Sequence, residues 1–354
     1  MLQHAASGKL PEEVLSQGGI APLLWDGQVD QVSWLLKTDP VSADRDRTRE
    51  ALTYTLRLRQ LGGSSAFRVE DELLGNFYLV DMGEKTTPKK FLERRPGHAV
   101  TFDFQEHQLV AHEGSVPDDQ TLLSLVAGPF GNPIVLKFRD RLSSWGIYHD
   151  VHVDQGAPVR RAAIARHETR VAADGQNLIP VLHTLYSGER EFKKDIDAAM
   201  RAAFGEDFEE LSFPPAADQQ VQLRLRWKSL RTPQPAADLS DGTVRFLLLI
   251  AILANPNPVG IIAIDEPETG LHPSMLPIVA EFAREAAARS QVIFSTHSPQ
   301  LLDAFGTDAP TTTVAQWVDG ATRLARIDGQ ELSRWLQDYS LGALFRSEEL
   351  EGMV

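Results

Sequence analysis

Apolar and polar residues alternate along the chain from about Ala51 to Ala127. In the runs 52–58 and 100–104 every second residue is apolar, and Gly62-Gly63 and Pro96-Gly97 interrupt the pattern. Alternation with a period of two is typical of strands that bury one face, and glycine and proline pairs mark the turns between such strands. We therefore predict antiparallel β structure in this part of the chain.

The spacing of apolar residues becomes helical between about Pro129 and Gly205. Asn177 precedes an apolar run that predicts one helix. The segment Phe192–Phe204 carries apolar residues at intervals of three and four, which predicts a second helix. We interpret this region as an inserted helical arm.

A proline-bounded alternating segment, Val221–Trp227, follows, and from there to about Val318 helices alternate with wholly apolar strands. Such strands between helices are typical of a parallel sheet that is covered on both faces. The chain is thus predicted to be α/β. We divide it into a mostly antiparallel β lobe over 1–128, an inserted helical region over 129–210 and an α/β lobe over 211–354.

Composition limits the kinds of site that the chain can carry. With 42% hydrophobic residues, its 354 residues can bury a substantial core, and no apolar run approaches the length of a membrane span. No cysteine occurs, which excludes disulfides and cysteine-ligated metals within these residues. The net charge of −14 requires any nucleic-acid site to be a confined basic patch. We expect a cytoplasmic protein without membrane contact.

Two adjacent acids, Asp265 and Glu266, end the unbroken apolar strand Gly260–Ile264. A buried parallel strand delivers such side chains to the carboxyl edge of its sheet. There Asp265 can hold Mg²⁺, directly or through water, and Glu266 can orient and deprotonate an attacking water. The alternative is a strand that runs into a solvated acidic turn, and the neighbouring segments decide between the two.

A helix predicted over 274–289 leads to a second apolar strand, Val292–Thr296, and then to His297. A strand, a helix and a strand in this order form a right-handed parallel crossover, so His297 is expected at the same sheet edge as Asp265 and Glu266. A histidine there can hydrogen-bond a γ-phosphate or the attacking water, although a lone histidine more often caps a strand. Convergence with two acids favours the first interpretation.

Ser240 and Gly242 precede the strongly apolar stretch Val244–Ala254, which predicts a helix that ends at Asn255-Pro256. The N-terminus of a helix presents free N–H groups and the positive end of its dipole. Together with a hydroxyl, these groups make a site suited to phosphate. The alternative is an ordinary serine N-cap.

In this order the segments resemble the head of an ABC-type P-loop ATPase. Residues 239–243 are similar to the ABC signature, 261–266 to the Walker B motif, 271–273 to the D-loop and His297 to the switch histidine. The variant Leu-Ser-Asp-Gly-Thr is similar to the signature of the AAA/RecF/SMC-like ATPases of bacteria. Asp241 departs from the transporter signature, and its carboxylate is unfavourable near phosphate unless it turns outwards or is paired.

The resemblance implies a P-loop NTPase fold of the ABC-head type, with ATP and Mg²⁺ as ligands. It also implies a homodimer in which two heads sandwich the nucleotide. Glu266 and His297 would be catalytic and Asp265 would bind the metal. Ser240 and Gly242 would contact the γ-phosphate that the other head holds.

The P-loop of that family, G-x-x-x-x-G-K-S/T after a strand, does not occur in these residues. Ser7-Gly8-Lys9 is no substitute, because Gln3 stands in place of the first glycine and Leu10 in place of the serine or threonine. In the family the P-loop helix runs into a segment similar to residues 1–25. We therefore expect Met1 to be an internal methionine and about 30 to 40 residues to precede it, the size of one strand, loop and most of a helix. The alternative is a shortened protein that relies on a partner for nucleotide binding, and in either case we expect no ATPase activity from this chain alone.

Three functions remain open. The resemblance favours an ATPase whose heads dimerise in DNA repair or genome maintenance. The alternatives are an ATP-sensing subunit that acts on an effector protein in a phage-defence or toxin system, and a catalytically inactive binding module. The long helical insertion argues against a transporter subunit. Contact between DNA and Arg224, Arg226, Lys228 and Arg231 is a further hypothesis, for which a solvated sheet face is the favoured alternative.

Overall fold

The computed structural model describes residues 1–25, 28–38, 50–78, 89–112, 114–126 and 132–354. These residues form two compact units, Met1–Trp145 and Gly146–Val354. The boundary predicted between residues 128 and 129 lies outside the described residues. The division into three regions therefore stays a prediction.

The described residues of the N-terminal unit contain one antiparallel sheet in which each strand pairs with the next along the chain. The strands are β1 Gln31–Lys37, β2 Glu50–Gln60, β3 Phe67–Tyr78, β4 Lys89–Arg95, β5 His98–Asp103 and β6 Gln108–Ala111. Tyr54, Leu56 and Leu58 on alternate positions of β2 are fully buried. The period of two thus predicted strands in the region of β2 to β6 and the inner face of β2, whereas β1 lies before the region predicted to be β structure.

Helices cover the buried face of this sheet. Those described are α1 Leu2–Ser7, α2 Leu10–Ser16, α3 Leu122–Leu125 and α4 Pro133–Ser143. They contribute Leu10, Leu122 and Leu142 to the same core as Tyr54. The Asn132 side chain caps α4 by accepting hydrogen bonds from the N–H groups of the first turn.

A buried carboxyl group, that of Glu72 on β3, joins this sheet to α3. It accepts hydrogen bonds from the Tyr54 hydroxyl at 2.9 Å and from the N–H groups of Leu122 and Leu123 at 2.6 and 3.0 Å. Burial raises the pKa of Glu72 above its ordinary value of 4.5, while these donors and Arg94 oppose the rise. The carboxyl group therefore accepts the first two N–H groups of a short helix that sequence patterns did not predict, while Thr121 is the N-cap of that helix.

The C-terminal unit contains the predicted parallel sheet, which consists of β7, β13 and β14 among the described residues. The described strands of the whole unit are β7 Gly146–Tyr148, β8 Ala163–Ile164, β9 Phe208–Ser212, β10 Gln220–Val221, β11 Arg224–Trp227, β12 Gln234–Pro235, β13 Ile261–Asp265, β14 Gln291–Ser295, β15 Thr313–Val318 and β16 Ala321–Arg326. Its helices are α5 Leu178–Gly188, α6 Arg190–Phe204, α7 Asp241–Leu253, α8 Leu276–Ala287, α9 Pro299–Ala304, α10 Gly329–Trp335, α11 Leu341–Arg346 and α12 Glu349–Gly352.

Strand β13 lies at the centre of this sheet and pairs in parallel with β7 and β14. The crossover β13–α8–β14 joins neighbouring parallel strands, as the sequence predicts. Helix α7 is apolar on every side, and ten of its thirteen residues are buried. The signature-like loop is consequently anchored by a helix in the middle of the core.

Helices α5 and α6 confirm the two helices predicted after Asn177, and both lie in the same core as α7. The Tyr186 hydroxyl donates to Asp197 at 2.6 Å and accepts from the N–H of Leu211 at 3.1 Å, which ties α5, α6 and β9 together. The stretch before them differs from the helical prediction, because residues 149–177 include β8 and a short 3₁₀ turn rather than an α-helix. Strand β7 was also missed, since three residues are too few to establish a period.

The last elements form a small core of their own around Ile327, Leu332 and Leu341. The hairpin of β15 and β16 pairs antiparallel beside them. Among the described residues, no helix has the length and apolarity that crossing a membrane would need.

Candidate functional site

The end of β13 presents Asp265 in an exposed position, whereas Ile262 and Ile264 on the same strand are buried. Asp265 lies opposite Ser295 in the parallel register, and the Ser295 hydroxyl donates a hydrogen bond to its carboxylate. Because the strands are parallel, both side chains lie at the carboxyl edge of the sheet. This is the place that the sequence predicts for a metal-binding acid.

The geometry at Asp265 suits Mg²⁺, which prefers oxygen ligands and commonly takes one or two carboxylates, with phosphates and waters completing the shell. An exposed carboxylate beside a hydroxyl supplies such oxygens. Within the described part of the chain, no cluster of three or more acidic or histidine side chains forms a closed metal cage.

Glu266 follows at once and has an unusual backbone, with φ of 42°. This left-handed conformation costs roughly 1 to 3 kcal/mol for a residue other than glycine and is often found at functional sites. Four hydrogen bonds hold it. The Glu266 N–H donates to the Ser295 carbonyl at 3.0 Å, and its own carbonyl accepts from Arg245 at 3.2 Å and from the Thr269 N–H at 3.1 Å. Its carboxylate accepts from the Thr269 hydroxyl at 3.2 Å. The carboxylate direction is thus set by its surroundings.

His297 lies two residues after Ser295, beyond the end of β14, and is exposed. The parallel pairing of β13 and β14 therefore puts it at the same sheet edge as Asp265 and Glu266. The residue between, Thr296, donates its hydroxyl to Glu268 at 2.5 Å and accepts from the N–H of Ser298 at 2.9 Å. These two bonds attach the segment that carries His297 to the turn after β13.

Arg245 on α7 connects this turn to the signature-like helix, through its bond to the Glu266 carbonyl. Burial lowers the pKa of the Arg245 guanidinium, and the neighbouring carboxylates of Glu268 and Glu266 oppose that shift. Neither Arg245 nor Glu268 was identified from the sequence. An arginine four residues into an otherwise apolar helix was the one available signal, since a charge on a helix buried on every side needs a partner.

Ser240 is the N-cap of α7. Its hydroxyl oxygen accepts from the N–H of Thr243 at 3.1 Å and lies 2.7 Å from the Thr243 hydroxyl. The capping alternative is therefore realised, and the residue is also exposed at the N-terminus of a helix of thirteen residues. Capping one N–H leaves the others of the first turn available to an anion.

Gly242 has a steric reason to be glycine. A side chain there would place its Cβ 2.6 Å from the carbonyl oxygen of Gly270, well inside van der Waals contact. The first turn of α7 and the turn after β13 consequently approach each other backbone to backbone. The structure thus brings together the segments of Ser240, Gly242 and Glu266.

Asp241 is paired, which is one of the two arrangements expected from the sequence. Its carboxylate accepts a hydrogen bond from Arg160, whose side chain is almost fully buried. Arg160 lies 81 residues earlier in the chain, and nothing in the sequence pattern connects the two residues.

Arg226 on β11 and Lys228, which directly follows the strand, have acidic partners on neighbouring segments. Arg226 lies 3.9 Å from Glu210 and 4.0 Å from Glu209, and Lys228 lies 3.8 Å from Glu206. Since acids offset these charges, the strand offers little net attraction to nucleic-acid phosphates. The geometry favours the solvated sheet face over the DNA-contact hypothesis.

Comparison with known proteins gives a consistent picture of the central segment. Residues 135–303, slightly less than half of the chain, match the family described as "AAA domain, putative AbiEii toxin, Type IV TA system". No curated protein matches the chain.

Among solved structures, the SMC head bound to the C-winged helix domain of ScpA is 10% identical. The match covers 94% of this chain and 87% of that one, with a TM-score of 0.53. The Smc head with an extended coiled coil from Pyrococcus furiosus is 13% identical over 46% of this chain and 40% of its own, with a TM-score of 0.35. The SMC head from Thermotoga maritima is 11% identical over 78% and 74%, also with a TM-score of 0.35.

At such low identity the likeness to the first of these heads concerns the fold alone, a mixed α/β ATPase head with an antiparallel sheet. Residues 135–303 are thus similar to a family of AAA domains, in a chain whose fold resembles that of an SMC head.

Proposed function

We propose that this chain supplies the hydrolytic half of an ABC-type ATPase site that works between two heads. The observation that carries the proposal is the arrangement at the carboxyl edge of β13 and β14. An exposed Asp265, a glutamate held in a left-handed conformation and His297 lie there. If Asp265 and Glu266 only ended the strand in a solvated turn, nothing would require the strained backbone of Glu266.

In this proposal Asp265 would hold Mg²⁺, which would supply positive charge against the phosphates of ATP. Glu266 accepts the proton of a water as its oxygen forms a bond to the γ-phosphorus and the bond to the leaving ADP oxygen breaks. His297 donates a hydrogen bond to the γ-phosphate or orients the water. The products are ADP and phosphate, and the proton passes from Glu266 to solvent.

The second head enters through the N-terminus of α7. Ser240 and the free N–H groups around Gly242 would contact the γ-phosphate of a nucleotide held by the partner head. Because these 354 residues contain no P-loop motif, the proposal requires a P-loop from elsewhere, on the same polypeptide or on another. ATP would then join the two heads, and its hydrolysis would release them.

The process that such a head serves has two candidates. The match to a family whose description names a toxin and a type IV toxin–antitoxin system supports an ATP-sensing subunit that acts on an effector protein. A role in DNA repair or genome maintenance rests on the fold likeness to SMC heads alone.

Substitution of Glu266 by glutamine tests the catalytic assignment. With the P-loop supplied by a flanking segment or a partner chain, Glu266→Gln should lower phosphate release by about 100-fold or more, because the proton acceptor is lost. ATP binding should persist and the ATP-bound dimer should accumulate, as measured by light scattering after gel filtration. Glu281→Gln, an exposed change on α8, is the matched control and should behave as the wild type.

Undiminished turnover in Glu266→Gln would refute the role of this residue. If the wild type fails to bind ATP both with a flanking P-loop segment and with a partner chain that carries the P-loop, the result would instead support the inactive binding module.

A further inference from the structure

Arg160 lies outside the motifs of the nucleotide site, yet its guanidinium is bonded to the loop that precedes α7. Its side chain is 1% exposed. It donates to the carbonyls of Leu239 at 2.5 Å and Ala236 at 3.2 Å, and also to the Asp241 carboxylate. A fourth bond, to the carbonyl of Val153 at 2.7 Å, ties the arginine to its own segment.

The carbonyls of Ala236 and Leu239 belong to the turn directly before Ser240, and this turn sets the position of Ser240 at the start of α7. Helix α7 begins at Asp241, so its own hydrogen bonds do not fix the carbonyls of Ala236 and Leu239. Only a side chain with several donors in a fixed plane can satisfy both and still reach a carboxylate. A lysine has the charge but not this geometry.

The charge of Arg160 has one partner in this loop, Asp241, whose side chain is 60% exposed. A buried cation is tolerated when an acid pairs with it and its donors are satisfied. The same bond neutralises the Asp241 carboxylate, which lies in the first turn of α7, the helix proposed to receive phosphate.

We infer that Arg160 is the positioning residue of the signature loop: it holds residues 236–241 in place and neutralises Asp241 at the contact between heads. The first part stands on the hydrogen bonds alone. The second part rests on the proposed function, because it requires a phosphate from a second head to approach Asp241.

Hydrogen exchange measured by mass spectrometry tests the first part without nucleotide. In Arg160→Met the backbone amides of residues 239–244 should exchange about tenfold faster or more, because the loop loses three of its bonds and can open locally. Arg161→Met is the matched control: Arg161 is exposed and donates to the Gly156 carbonyl at 2.9 Å, away from the loop. It should leave exchange of the loop unchanged.

Equal exchange in wild type and Arg160→Met would overturn the positioning role. Should Arg160→Met lack a cooperative unfolding transition, Arg160→Lys replaces it. Lysine has one nitrogen with three donors, whereas Arg160 makes four bonds from three nitrogens. Exchange of the loop should therefore still rise, and unchanged exchange would again overturn the inference.

ATP-driven dimerisation tests the second part. It is measured for variants that also carry Glu266→Gln, with the P-loop supplied, and the direction of each change decides. Arg160→Met should weaken dimerisation about tenfold, because it loosens the loop and leaves Asp241 unpaired near phosphate. Asp241→Asn keeps an acceptor for Arg160 and removes the negative charge, so dimerisation should be as tight as in the wild type or tighter. The double variant should recover part of what Arg160→Met loses.

A purely structural pair predicts a different pattern, in which both single substitutions weaken dimerisation and the double variant is no better than Arg160→Met. That pattern would overturn the neutralising role while leaving the exchange result standing. If the wild type itself does not dimerise with ATP, the proposed function fails, and with it the neutralising role, whereas exchange still decides whether Arg160 positions the loop.

Discussion

Single residues of the candidate site are constrained by backbone geometry as well as by chemistry. Glu266 has a left-handed φ of 42°, and Gly242 faces the Gly270 carbonyl at a distance that excludes a side chain. Such constraints persist only where surrounding contacts enforce them. At Glu266 the contacts come from Ser295, Arg245 and Thr269, so the orientation of the proposed base depends on residues from three different segments.

The close approach at Gly242 leads to a prediction about stability. Alanine is favoured over glycine in a helix by about 1 kcal/mol, but a Cβ only 2.6 Å from a backbone carbonyl must displace the chain. Since overpacking of this kind costs about 1 to 3 kcal/mol, which exceeds the helix gain, Gly242→Ala should lower the free energy of unfolding by up to about 2 kcal/mol. A urea titration followed by tryptophan fluorescence measures the change.

Gly329→Ala is the matched control, because Gly329 also lies in the first turn of a helix and a Cβ there meets nothing within 4 Å. It should be neutral or slightly stabilising. If Gly242→Ala is equally harmless, the two turns do not pack as described.

At the scale of elements, one buried acid holds a helix against a sheet. Glu72 on β3 receives the first N–H groups of α3 and the hydroxyl of Tyr54 on β2. A helix of four residues has little stability of its own, so its place depends on such side-chain bonds. The arrangement makes the stability of the N-terminal unit sensitive to the protonation of one carboxyl group.

The pH dependence follows from the raised pKa of Glu72. In the folded protein this group binds its proton more tightly than in the unfolded chain, whose carboxyl titrates near 4.5. Its contribution to the free energy of unfolding is therefore fully present below that pH and is lost as the pH rises through the folded-state pKa. The stability advantage of the wild type over Glu72→Gln should shrink as the pH increases from about 4.

Chemical denaturation of both proteins at a series of pH values measures this difference and cancels the titration of other groups. A difference that stays constant with pH, or grows with it, would mean that burial does not raise the pKa of Glu72.

At the scale of the whole molecule, acids outnumber bases and the net charge is −14. The basic residues in and just after β11 do not form an isolated positive surface, since Arg226 and Lys228 have acidic neighbours and Arg224 donates to Gln222 at 3.1 Å. Long-range attraction to DNA would have to overcome this charge. Any nucleic-acid contact is therefore expected to be local.

Removing the basic face tests this interpretation. The double variant Arg224→Ala and Arg226→Ala should change the affinity for duplex DNA by less than about twofold at roughly 0.15 M salt, because the phosphates gain little from charges that acids already offset. Fluorescence anisotropy over a range of salt concentrations provides the measurement. A loss of tenfold or more together with a weaker salt dependence would identify the face as a DNA site.

The sequence by itself determined what depends on neighbouring residues. The alternation in β2, the apolar strand that ends in Asp265 and Glu266, and the helix that begins after Ser240 are local patterns, because side-chain direction follows directly from the periods of strand and helix. The parallel placement of β13 and β14 also followed, since the handedness of the crossover leaves one arrangement. The assignment of catalytic roles to these residues stays a prediction.

Tertiary structure alone decided the contacts that join distant segments. Arg160 meets Asp241, Gly270 closes on Gly242, and the three residues of β7 enter the central sheet. The burial of Glu72 belongs to the same group. A local pattern carries no record of which segment folds against which, and the desolvation and hydrogen bonding that fix these residues arise only after the chain has been brought together.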